Sequence, residues 1–107
     1  MRQALAYFFE KQGFEVVAVP SITDAKHALE RPEKWDLVIS DYHLPDGSGW
    51  ELCCWIRQQA RSAPPFLLIS GGLAAAALAS EVDFLAKPFS VEELAGRVDT
   101  LLDKPRQ

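Results

Sequence analysis

The sequence predicts an α/β fold, a doubly wound parallel sheet with helices on both faces. Three observations predict it. Segments with helical apolar spacing alternate with short, continuously apolar runs; the connections between them are short; and the apolar runs stop at turn-forming or polar residues. Runs that are apolar throughout suit strands covered on both faces, and strand–helix–strand units of this kind wind right-handedly.

Residues 2–12, RQALAYFFEKQ, place Leu5, Phe8 and Phe9 on one helical stripe, with Gly13 as a stop. EVVAV, 15–19, is rich in β-branched residues, reads as a strand and is closed by Pro20. Ser21 or Thr23 can cap a helix over TDAKHALE, with Pro32 beyond its end. DLVIS, 36–40, is a buried strand that runs into Asp41 and the turn HLPDGSG. WELCCWIRQQA follows as a helix with Leu52, Trp55 and Ile56 inward. PFLLIS, 65–70, is a second buried strand, stopped by Gly71 and Gly72. LAAAALASE reads as a short helix, DFLAK, 83–87, as a last strand, and Ser90 as the cap of a helix over VEELAGRVDTLLDK. The reading comes to four parallel strands and about five helices in a single domain over 1–107.

Composition excludes several function classes. A net charge of -4 gives no basic surface for nucleic acid. No apolar run approaches the roughly 18 residues of a membrane span, and Met1 leads directly into an amphipathic pattern rather than a signal peptide, so the expected location is the cytoplasm. Cys53 and Cys54 are adjacent and lack the spacing of a metal knuckle or redox pair, which makes them packing residues. Trp35, Trp50 and Trp55 read as packing residues too, with Trp50 partly exposed, and His27 lies on a helix face away from any site.

Parallel sheets of this kind bind ligands at the carboxyl ends of their strands. Asp41, Ser70 and Lys87 all stand at or just past such ends. A carboxylate, a hydroxyl and an ammonium on one rim suit a transient phosphoryl group: the first as nucleophile, the second as donor to a phosphate oxygen, the third as counter-charge. Without chemistry, the same residues would cap a turn, end a strand and solvate a surface. Their meeting on one rim argues for the chemical reading.

DLVISDYHLPDGSGWEL around Asp41, FLLISGG around Ser70 and DFLAKPFSVEEL around Lys87 together resemble the response-regulator receiver domains of two-component signalling, over nearly the whole chain. The resemblance implies a flavodoxin-like three-layer sandwich. It implies that Asp41 accepts a phosphoryl group from a sensor histidine kinase or phosphotransfer protein, that Ser70 reads it, that Lys87 pairs with it and that Phe84 acts as a switch. It also implies a cis Lys87-Pro88 bond and a regulatory domain with at most slow self-phosphorylation and self-dephosphorylation, which is no enzyme in the ordinary sense.

Two departures from the family pattern stand out. The apolar first strand and the acidic pair at its end, which help hold Mg2+ in the family, are absent ahead of the first helix. That leaves Asp41 and the backbone carbonyl of His43, whose ring is expected to be exposed, so Mg2+ binding is expected to be weak or lost. The segment from Ser70 to Lys87 is also short by about one helical turn. Without a central strand, 15–19 and 36–40 must pair directly, admit a strand from elsewhere or leave backbone groups unpaired, the last costing about 1–3 kcal/mol per buried group. A rearranged 1–14 segment or an intermolecular contact, including a homodimer, is the expected remedy. The alternative to a phosphorylated receiver is a degenerate one that works as a protein-interaction module. A phosphatase would want a second aspartate at position 43, which is His43.

Overall fold

The computed structural model describes residues 2–30, 34–59, 63–72, 77–78 and 80–103. Among them are four helices, α1 (Arg2–Lys11), α2 (Ile22–Leu29), α3 (Gly49–Gln59) and α4 (Val91–Asp103). The strands are β1 (Val38–Asp41), β2 (His43–Leu44), β3 (Gly47–Ser48), β4 (Phe66–Ser70) and β5 (Asp83–Ala86). The helix read over 73–81 falls largely outside the described residues.

β4 is the centre of a parallel sheet ordered β1-β4-β5. All five of its residues are buried, which is why its run is apolar without alternation. Its register sets Val38 beside Phe66 and Asp41 beside Ile69, with Leu67 beside Asp83 and Ser70 beside Ala86. Alternate β4 side chains serve opposite layers. Phe66 and Leu68 pack with Ile22, Leu52, Cys53, Ile56 and Val82, under α2 and α3. Leu67 and Ile69 pack with Phe9, Leu85, Leu94, Val98 and Leu101, under α1 and α4. The result is the predicted three-layer arrangement.

The caps follow local chemistry. Ser21 Oγ accepts from the Asp24 N–H at 3.1 Å and starts α2. Ser90 and Glu93 form a reciprocal capping box at α4, with 3.0 and 3.1 Å bonds. Ser48 and Glu51 make the same box at α3, at 3.2 and 3.3 Å. Leu52, Cys53 and Ile56 are buried along α3, while Trp55 lies half-buried with Lys26 Nζ 5.2 Å above its ring.

Three findings correct the sequence reading. The parallel sheet has three strands among the described residues, not four, because 15–19 forms no ladder. β-branched residues become a strand only against a neighbour, and among the described residues 15–19 has none. Val16 is tucked half-buried at the margin of the α1/α4 cluster, and Val17 is 45% exposed. Second, no strand among the described residues pairs with the outer edge of β1, the outcome with the highest expected cost, while α1 keeps its helix. The cost is lower than that of buried groups because the edge residues Ile39 and Asp41 are only half-buried. Third, the turn after Asp41 contains a small antiparallel hairpin, β2 against β3, which pairs His43 with Ser48 and Leu44 with Gly47. Gly47 makes it possible at φ 152°, a conformation L side chains rarely adopt.

Candidate functional site at the carboxyl rim of the sheet

Asp41 is the last residue of β1, Ser70 the last of β4, and Lys87 follows β5 directly. The parallel register therefore brings all three to one rim. Lys87 Nζ reaches both carboxylate oxygens of Asp41, at 2.9 and 3.2 Å. The two side chains are 31% and 37% exposed for Asp41 and Lys87, so the pair is open to an incoming group. The Lys87 N–H donates to the Ser70 carbonyl at 3.0 Å, which ties the β5 end to the β4 end. The Lys87-Pro88 bond is cis.

Ser70 is fully buried, and its Oγ accepts from the Gly72 N–H at 2.9 Å. Its hydroxyl proton remains free to be donated once an acceptor arrives. Phe84 is half-buried against the α2/α3 cluster, one residue before buried Leu85, and its carbonyl accepts from Arg97 Nη1 at 2.8 Å. His43 is exposed on the hairpin, edge-on to Tyr42 at 5.1 Å. Cys53 is buried, which pushes its thiol up, and Cys54 is half-buried; both are free and neither belongs to the rim.

Two residues that the sequence reading undervalued shape the rim. Gly49 is buried where α3 starts, and its N–H donates to the Tyr42 carbonyl at 2.7 Å. A Cβ there would run into the Asp41 carbonyl and come within 2.7 Å of Leu68 Cδ1 and 2.8 Å of Ser40 Oγ. Gly49→Ala is therefore expected to cost about 1–3 kcal/mol by overpacking and to shift Asp41 as well. Urea midpoints together with phosphoryl labelling check it: a neutral midpoint and unchanged labelling would show that the contact is relaxed cheaply.

The other residue is Asp46, which lies in the HLPDGSG turn. Its partners are 23 and 24 residues away: Oδ1 accepts from the Ile22 N–H at 2.8 Å, and Oδ2 from the Thr23 N–H at 3.0 Å and Thr23 Oγ1 at 2.9 Å. The carboxylate thus clamps the hairpin onto the α2 N-terminus, where a negative charge is favoured. The Ile22 N–H above all, then the Thr23 N–H, holds the Asp46 carboxyl below its ordinary value of 3.8. A folded value below the unfolded one means stability gained above about pH 4 and lost as pH falls through the folded value. Asp46→Ala should melt below the parent at pH 7, with the gap closing on acidification below pH 4. Melting curves across pH decide it, and a gap that persists unchanged at pH 2 would remove the carboxylate from the explanation.

The rim offers a metal little. Among the described residues no group of three His, Cys, Asp or Glu side chains is placed to hold an ion. Asp41 is the rim's carboxylate, and Lys87 already holds both its oxygens. Mg2+ demands near-octahedral oxygen coordination, which this donor set does not fit.

Comparison with known proteins shows the family of the chain. The response regulator receiver domain family matches residues 1–99. The transcriptional regulatory protein GltR of Pseudomonas aeruginosa is 36% identical over 95% of this chain and 44% of its own length. The two-component response regulator PhoP of the same organism is 38% identical over 86% of this chain and 42% of its own. The chain thus spans less than half the length of these relatives. Among solved structures, the non-phosphorylated HemR receiver domain from Leptospira biflexa superposes with a TM-score of 0.85, at 28% identity, over 99% of this chain and 88% of its own. The receiver domain of the hybrid histidine kinase CckA superposes at 0.77, with 30% identity. The family match over residues 1–99 and these relatives make the chain a member of the response regulator receiver domain family.

Proposed function

We propose that this chain is a phosphoacceptor receiver in which Asp41 takes a phosphoryl group from the phosphohistidine of a sensor histidine kinase or phosphotransfer protein. The observation that carries the reading is the pairing of Lys87 Nζ with both Asp41 oxygens at an exposed strand end. A carboxylate oxygen of Asp41 attacks phosphorus, an O–P bond forms and the P–N bond breaks. The imidazole nitrogen leaves with the bonding pair and takes its proton from solvent. Lys87 swings from the carboxylate to the phosphoryl oxygens, and Ser70 turns its hydroxyl proton to one of them. Phe84, on the strand that leads into Lys87, would pass the change to the α2/α3 face or to the Arg97 contact of α4. The domain acts in this reading as a regulator within a cytoplasmic pathway.

Because Asp41 is the carboxylate that the described residues set at the rim, we expect slow labelling by acetyl phosphate that rises little with Mg2+. Joining an apolar strand ending in two acidic residues ahead of Met1 should increase both the rate and its Mg2+ dependence. Intact-mass analysis of the two chains at matched Mg2+ tests this. Rapid, strongly Mg2+-dependent labelling of the 107-residue chain would contradict the account of the metal site.

One observation favours a second reading. The Asp41 carboxylate is already neutralised by Lys87, and no cluster of acids among the described residues competes for that lysine. A receiver held this way could serve as a phosphate-independent interaction module. It would bind a partner equally well with Asp41 or Asn at position 41.

A further inference from the structure

Ser40 stands one residue before Asp41 and is 7% exposed. Val38 and Tyr42 pack in the α2/α3 cluster, Leu37 and Ile39 in the α1/α4 cluster. Strand alternation therefore turns Ser40 under α3, where its register partner is Leu68, and sends the Asp41 side chain to the opposite face. The Ser40 hydroxyl is thus closed to an incoming group, and whatever it does at the rim it does through another residue.

That residue is Asp41. Ser40 Oγ donates to the Asp41 carbonyl at 2.9 Å. The carbonyl and the carboxymethyl arm leave the same Cα, and the backbone there has two soft torsions, so a donor on the first limits the swing of the second. The next residue is fastened too: the Tyr42 N–H donates to the Ile69 carbonyl at 2.8 Å, and the Tyr42 carbonyl accepts from the Gly49 N–H at 2.7 Å. Gly49 passes so close that a Cβ on it would meet both the Asp41 carbonyl and Ser40 Oγ. The tip of β1 is therefore gripped from the α3 side, and its carboxylate is left clear on the other. The grip has a target to serve, because both Asp41 oxygens meet Lys87 Nζ, at 2.9 and 3.2 Å, from across β4.

We propose that Ser40 is a positioning residue for phosphoryl transfer: its hydroxyl holds the Asp41 carbonyl and thereby aims the carboxylate oxygens at phosphorus and at Lys87. The proposal rests on the reading of Asp41 as the phosphoacceptor. In-line attack tolerates little misplacement, a shift of about 1 Å costing about 100-fold. Ser40 is one of three fastenings, with the Tyr42 N–H and the Gly49 N–H, so its loss should cost about tenfold.

The test uses the 107-residue chain with substitutions of Ser40. Ser40→Ala deletes the hydroxyl. Ser40→Thr and Ser40→Val add the same bulk and differ in the hydroxyl, so crowding against Gly49 and Leu68 cancels between them. Labelling by acetyl phosphate, followed by intact mass, should fall about tenfold in Ser40→Ala, and should be about tenfold slower in Ser40→Val than in Ser40→Thr. Urea midpoints should rank the last two the other way or equally, because valine buries no polar group. A slower rate in the variant that is at least as stable is not a folding effect. If the Thr and Val variants do not fold, Ser40→Ala against the parent decides. Parental labelling in Ser40→Ala, or equal labelling in Ser40→Thr and Ser40→Val, would overturn the proposal. A parent that takes no label at Asp41 would overturn the phosphoacceptor reading instead. The positioning claim then stands if the Asp41 Cγ and Lys87 Nζ resonances move in Ser40→Ala but not in Ser40→Thr, and falls if they move in neither or in both.

Discussion

Asp41→Asn is expected to bring phosphoryl labelling to background while leaving the fold intact. The amide keeps the shape of the side chain and an oxygen for Lys87, but it has no anionic nucleophile and cannot form an acyl phosphate. Stability should change little. The lost ion pair is about one-third exposed on each side, and exposed pairs of this kind contribute about 0–1 kcal/mol. Lys87→Ala should differ in kind: the nucleophile survives, and labelling slows by about 100-fold through loss of the single charge that meets the phosphoryl oxygens. Acid-labile labelling beside circular dichroism separates the two. Residual labelling in Asp41→Asn at the parent rate would place the chemistry elsewhere.

The largest expected loss of stability comes from Leu67→Ala. Leu67 is fully buried as the second residue of β4, the strand between β1 and β5, in the cluster of Phe9, Leu94 and Leu101. Removing its side chain leaves a cavity that neighbours on α1 and α4 cannot close together, at a cost of about 2–5 kcal/mol. A domain of this size holds about 5–15 kcal/mol in all, so the variant should be largely unfolded in mild urea. Val91→Ala, 47% exposed at the start of α4, is the control and should stay within about 0.5 kcal/mol of the parent. Coincident urea midpoints for the two variants would mean that β4 is not the centre of the sheet.

Most of the fold is legible because its signals are local. Continuous apolarity over Phe66–Ser70 marks a strand covered on both faces, and Ser21 and Ser90 announce their helices three residues ahead of the bonds they make. The rim is legible for the same reason: a parallel sheet carries the strand ends Asp41, Ser70 and Lys87 to one side whatever the loops do. The misreadings are non-local. The segment 15–19 has every local mark of a strand but, among the described residues, no neighbour to pair with, and a ladder is a property of two segments. Asp46 reads as a turn residue because nothing nearby shows that its acceptors would meet Ile22 and Thr23 across the domain. The Ser48 and Glu51 box was visible in the spacing, and so was the hairpin's Asp46-Gly47 pair, but the proline and glycines around them read more simply as loop.

The central claim is that Asp41 is the phosphoacceptor of this receiver. Borohydride reduction of the chain after exposure to a phosphorylated histidine kinase or acetyl phosphate converts an aspartyl phosphate to homoserine, and peptide mass mapping then locates it. Homoserine at position 41, absent without donor and absent in Asp41→Asn, is the expected result. Homoserine at any other aspartate, or none in a folded chain mixed with a kinase that phosphorylates other receivers under the same conditions, would contradict it.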